Sequence, residues 1–115
     1  MKSLYNATRY ALAGIGYAWQ NEASFQREVI LFFLALPTAY FISTSTFDFT
    51  LLIGSILMIM VVELLNTGLE NVVDLIGGGK SVLSKGAKDC GAAAVFITIL
   101  LAALLWIDKF IAYFS

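Results

Sequence analysis

Residues 49–74 read FTLLIGSILMIMVVELLNTGLENVVD, and this stretch decides the fold. Phe49 to Val62 carries no charge, and then Glu63, Asn66, Glu70 and Asp74 interrupt the apolar run. Their spacing of three, four and four places them on one face of a helix, within an arc of about 80° at roughly 100° per residue. Carboxylates at membrane depth are costly and mark functional sites by default. A polar face buried against neighbouring helices is the plainer alternative for one glutamate, but four aligned polar groups favour a site.

Working outward, two further apolar stretches flank this one. Val29 to Phe47 and Gly91 to Ile107 are uncharged, and each can supply the roughly 20 residues of a membrane-crossing helix. With 115 residues, 60% hydrophobic and 13% charged, the chain is far too apolar for an ordinary soluble domain. The expectation is one all-α membrane unit over residues 1–115, with spans near 28–46, 49–72 and 88–112. Ahead of them, Leu4, Ala11, Ile15, Ala18 and Trp19 recur at helical spacing. Tyr5, Tyr10 and Tyr17 lie among them, which predicts an amphipathic interfacial helix over about 3–20. A charged approach, Asn21 to Glu28 (NEASFQRE), leads into the first span. Ser43-Thr44-Ser45-Thr46 is a polar turn between antiparallel spans, Gly77-Gly78-Gly79 is a break, and Ser81 or Ser84 is a cap for the third span.

The cations set the orientation. Lys2, Arg9 and Arg27 precede the first span, Lys80, Lys85 and Lys88 lie between the second and third, and Ser43 to Asp48 has none. The positive-inside rule puts the N-terminus and the Leu75 to Asp89 loop in the cytoplasm. These cations form no dense patch, so nucleic-acid binding has no support. Cys90 is the single cysteine and excludes an internal disulfide.

The chain has no histidine, so its metal chemistry is carboxylate chemistry. Carboxylates suit Mg²⁺, which takes one or two of them together with substrate phosphates. Glu70 with Glu22 or Glu28 makes such a pair if the N-terminal segment packs on the second span. By helical rise Glu63 lies about 21 Å from Phe49, just inside a hydrocarbon layer about 30 Å thick. Glu70 then lies near its boundary and Asp74 beyond it, so the acids run from lipid into water. Lys80, Lys85 and Lys88 surround the same mouth, where they serve topology or hold phosphates. Gly79-Lys80-Ser81 is not a P-loop, because G-x-x-x-x-G-K-S/T would require glycine at Asp74 and a preceding strand.

The segment from Glu63 to Asp74 resembles the signature of the small bacterial integral-membrane diacylglycerol kinases. That signature runs Glu, an aliphatic residue two later, Asn, Ser or Thr, Ser or Ala, an aliphatic residue, Glu, and then Val-Asp after two positions. Only Gly68 departs from it. Trp19, Asn21-Glu22-Ala23, Phe25, Glu28, Ala87-Lys88-Asp89 and Gly91 extend the likeness. The resemblance implies a homotrimer in the bacterial inner membrane that uses MgATP to phosphorylate diacylglycerol to phosphatidic acid. It implies Glu63 as general base, and Glu22 and Glu70 as ligands of the metal that carries ATP. Tyr10, Lys88, Asp89 and the Gly79-Lys80-Ser81 turn are implied ATP contacts. Trp19, Ser24, Glu28, Asn66, Ala92 and Trp106 join Glu63 as implied lipid-substrate contacts, Ala92 standing where the family has a serine. Undecaprenol kinases share the fold, but typically carry a basic, histidine-containing motif in place of NEASFQRE. A non-catalytic assembly subunit or small transporter, with acids along a helix interface or ion path, is the alternative from another class.

Overall fold

The computed structural model describes residues 2–77 and 81–115. Within them lie four helices: α1 (Lys2–Asn21), α2 (Ala23–Ile42), α3 (Thr46–Gly77) and α4 (Val82–Phe114). They form an elongated body of 52 × 40 × 21 Å. α2, α3 and α4 are each long and apolar enough to cross a membrane.

Helix boundaries follow from local chemistry. α1 and α2 are separated by Glu22 alone, whose backbone is extended (φ −125°, ψ 109°) and whose side chain caps nothing. Two backbone bonds carry the corner: Glu22 N–H donates to Ala18 O at 2.8 Å, and Gln26 N–H donates to Glu22 O at 3.2 Å. The segment read as a charged approach is therefore already the first turns of α2. α2 stops at Ile42 because the polar turn is spent on starting α3. Ser45 Oγ accepts from Asp48 N–H at 3.1 Å, while Asp48 accepts from the Thr44 hydroxyl at 2.6 Å. An acid here also suits the positive end of the helix dipole, and Lys109 of α4 closes on it at 3.0 Å. Of the two expected caps for the last span, Ser81 serves, its Oγ accepting from Ser84 N–H at 3.0 Å. Gly79 and Lys80 lie outside the described residues.

Pro37 sits inside α2. Lacking an N–H, it leaves the Phe33 carbonyl without its helical donor, a defect that membrane helices tolerate when neighbours re-satisfy the backbone. Next to it, Thr38 Oγ1 donates to Leu34 O at 3.0 Å.

The core lies in the lower half of the bundle, away from the acids. Ala35, Ala39 and Ile42 of α2 meet Leu52, Ile53, Ile56 and Ile59 of α3 and Ala102 of α4. In lipid the attraction between helices is packing rather than hydrophobicity, and small residues let backbones approach. Ala39 and Leu52 are fully buried. Trp106 fastens α4 to α3, its indole N–H lying 3.2 Å from Leu52 O and 3.1 Å from Ser55 Oγ. α3, with 32 residues, is about 48 Å long at 1.5 Å per residue, so it overshoots a hydrocarbon layer of about 30 Å. The overshoot carries the polar face of residues 63–74 towards one end of the bundle.

Candidate active site

The polar end of α3 is enclosed by the other three helices. Glu63 is 7% exposed and Thr67 4%. Asn66 and Glu70 are half-buried, and Asp74 is exposed. Burial thus declines along the face towards the α3–α4 connection.

α2 brings a second glutamate to the deepest of these groups. Glu28 and Glu63 are close neighbours across α2 and α3, and Glu28 Oε1 is buried without a hydrogen-bond partner. Glu22, at the α1–α2 corner, and Glu70, two turns along α3, are both close enough for their charges to act on Glu63. Arg27 acts on both Glu28 and Glu63, and its guanidinium donates to Ser24 Oγ at 3.2 Å.

Asn66 and α4 complete the wall. Asn66 Nδ2 donates to Glu70 Oε1 at 3.4 Å, a long bond that lightly orients the carboxylate. Its Oδ1 is buried without a partner and lies against Gly91. A Cβ at Gly91 would overlap Asn66 Oδ1 and come within 3.1 Å of Asn66 Cγ and Leu69 Cδ2. Gly91 is therefore a close-approach glycine that fixes where Asn66 can sit. Gly91→Ala should force Asn66 to turn at a cost of about 1 kcal/mol. Tm should barely move while the apparent KM for the MgATP that the family resemblance implies rises several-fold. Unchanged kinetics would show that Asn66 does not orient Glu70.

Further out, Lys88 of α4 pairs with Asp74 at 2.6 Å and Lys85 with Asp89 at 2.6 Å. The Lys85–Asp89 pair is largely exposed and adds little stability. The half-exposed Lys88–Asp74 pair ties α4 to the end of the polar face. On the α1 side, Asn71 Nδ2 donates to the Tyr17 hydroxyl at 3.0 Å, which seats α1 on α3.

The structure thus brings Glu22, Glu28 and Glu70 within electrostatic reach of Glu63, with Asn66 bonded to Glu70 and Lys88 within reach of it. Ser24 is joined to Arg27 and Asp89 to Lys85. Tyr10 is exposed on α1, with Arg9 over its ring at 5.4 Å, and Trp19 and Ala92 are exposed as well. Trp106 is not part of the cluster: it hydrogen-bonds at the level of Leu52 and Ser55, two or more turns from Glu63, among apolar side chains. Ser81 caps α4. Sequence reasoning passed over Arg27 as a site residue, the Tyr17–Asn71 bond and the Asp74–Lys88 pair. Gly91 enters the sequence reading only through the family likeness.

Among the described residues, no three side chains of the His, Cys, Asp and Glu types form a preformed metal cage. Mg²⁺ needs none, since it is commonly held by one or two carboxylates together with phosphates and water. Glu22 and Glu70 supply such oxygens at the wetter rim of the cluster, so the donor set fits that ion.

Together these features define a helical membrane protein with a group of acids towards one end of its bundle. The chain matches the prokaryotic diacylglycerol kinase family over residues 9–110, and it belongs to that family. Its relatives include a diacylglycerol kinase of Haemophilus influenzae, 39% identical over 103 residues (90% of this chain, 87% of the relative). One of Escherichia coli is 40% identical over 103 residues, covering 90% and 84%. One of Pseudomonas aeruginosa is 37% identical over 106 residues, covering 92% and 86%.

Proposed function

We propose that this enzyme transfers the γ-phosphoryl group of ATP to the free hydroxyl of diacylglycerol, giving phosphatidic acid and ADP. Beyond family membership, the observation that supports this most is the placement of a nine-tenths buried Glu63 two turns below a half-buried Glu70 on one continuous helix. A lipid hydroxyl arrives from the bilayer and a nucleotide from water, and the two glutamates sit at those two levels. Glu63 accepts the hydroxyl proton as the oxygen attacks phosphorus, and the bond from phosphorus to the ADP oxygen breaks. Glu28, a close neighbour of Glu63, can share the proton taken up. Glu22 and Glu70 would hold Mg²⁺, which when bound neutralises phosphate charge during transfer. Asn66, braced by Gly91, orients Glu70, while Lys88 and Asp89 line the nucleotide side. Detergent-solubilised protein given MgATP should form phosphatidic acid from dioleoylglycerol. Formation of undecaprenyl phosphate in preference would reassign the lipid, and no phosphorylation of either would support the non-catalytic reading.

The site lies at the cytoplasmic face of the bacterial inner membrane in this reading, as the placement of cations favours. A cysteine at Ser81 should resist an impermeant reagent applied outside cells, whereas one at Ser45 should react; the reverse would separate the site from ATP. The assembly in this reading is a homotrimer with sites shared between subunits, which would cover the half-buried Asn66 and Glu70 that a single bundle leaves partly exposed. Mixing inactive Glu63→Gln and Glu22→Ala chains should then restore measurable activity. Failure to restore any would place each site within one subunit.

A further inference from the structure

Phosphoryl transfer at this site creates a charge problem that the carboxylates cannot solve. The product carries a phosphate monoester with a charge of about −1.5 to −2 on the oxygen beside Glu63. Glu22, Glu28 and Glu70 all act electrostatically on Glu63. Lys88 is already engaged by Asp74 at 2.6 Å. Arg27, by contrast, acts electrostatically on both Glu28 and Glu63 and is in no ion pair among the described residues. Its guanidinium is exposed and hydrogen-bonds to Ser24 Oγ at 3.2 Å, which leaves most of its five donors open.

The position of Arg27 on α2 gives an independent indication. Arg27, Leu31, Leu34 and Thr38 follow one another at spacings of four, three and four, a single stripe along the helix. The last three line a cavity of about 390 Å³ between α2, α3 and α4, with Ile59 and Trp106 on its far walls. Ile59 lies one turn before Glu63. The stripe therefore begins at an exposed guanidinium within electrostatic reach of Glu63 and continues along an apolar groove. A fixed cation followed by hydrocarbon walls matches an anionic lipid, and a guanidinium fork matches phosphate oxygens two at a time.

We infer that Arg27, steadied by Ser24, binds the phosphate monoester of the lipid product while one of that lipid's acyl chains lies in the groove of Leu31, Leu34 and Trp106. The inference rests on the kinase reading for the identity of the lipid. It makes Arg27 a discriminator between product and substrate, because the neutral diacylglycerol offers the guanidinium no charge.

Binding titrations in neutral detergent micelles at fixed salt test this, with dioctanoyl phosphatidic acid, dioctanoylglycerol and MgATP as separate probes. Arg27→Gln should weaken phosphatidic acid about tenfold, with the other two changing by less than about twofold. Arg27→Lys, which keeps the charge and loses the fork, should fall between. Equal weakening of dioctanoylglycerol would make the effect one of general packing, weakening of MgATP alone would assign Arg27 to the nucleotide, and unchanged phosphatidic acid would remove the assignment; each overturns the inference. Should Arg27→Gln fail to fold, Leu34→Trp carries the test, because filling the groove should weaken dioctanoyl phosphatidic acid more than the dibutanoyl form. Equal weakening of both would overturn the groove. These titrations need no turnover. A wild type that binds phosphatidic acid through Arg27 yet phosphorylates no diacylglycerol would defeat the kinase reading alone.

Discussion

Glu63→Gln is expected to lower kcat by about 10²–10⁴-fold, the range for removing a positioned general base, with MgATP binding nearly intact. The amide keeps the size of the side chain and can donate to Glu28, so the buried contact survives while the proton acceptor is lost. The variant should therefore remain folded. Equilibrium binding of a non-hydrolysable MgATP analogue, set beside single-turnover rates, separates the two effects. Loss of nucleotide binding with Glu63→Gln, together with retention in Glu70→Gln, would exchange the roles assigned to the two glutamates.

Glu70→Gln and Glu22→Gln should act on the other substrate. Each removes an anionic oxygen from the wetter rim and should weaken MgATP by about 10- to 100-fold, the scale for disturbing metal-site residues. Raising Mg²⁺ should recover part of the loss if the residues hold the ion. A loss that is insensitive to Mg²⁺ would indicate contact with the nucleotide itself. Glu70 has a further tie to Asn66 Nδ2 at 3.4 Å, so Asn66→Ala should reproduce a milder form of Glu70→Gln. Diacylglycerol affinity should be unaffected by Glu70→Gln and Glu22→Gln.

Much of this site was legible from one helix face. Glu63, Asn66, Glu70 and Asp74 announce themselves because polar groups are so costly inside an apolar run that their spacing must mean something. The three apolar helices are legible for the same reason: length and hydropathy are local properties of the chain. Contacts that join distant residues are not. Nothing at Gly91 alone reveals that Asn66 would occupy the space of a side chain there, and nothing near Asn71 names Tyr17 as its partner. The start of α2 was obscured by charge. Asn21 to Glu28 reads as a polar lead-in, yet Arg27 and Glu28 are helical and Glu28 is half-buried close to Glu63, so tertiary placement decided a matter that composition had blurred. Trp106 is a further case: nothing local to it announces that its indole N–H meets Leu52 O and Ser55 Oγ of α3.

The corner between α1 and α2 has its own consequence for how this protein can change. Glu22 turns the chain there with backbone bonds alone, leaving its carboxylate free of any capping duty. Aspartate keeps the charge and is among the strongest helix caps, its oxygen folding back onto the N–H groups of the following turn. Glu22→Asp would thus improve the local thermodynamics of α2 by about 1 kcal/mol while, in the proposed role of Glu22, withdrawing an oxygen from the metal. The additional methylene of glutamate is what keeps the side chain uncommitted. At this one position a stabilising mutation and a working enzyme are competing outcomes, so variants selected for heat tolerance should include Glu22→Asp and prove poor at binding MgATP.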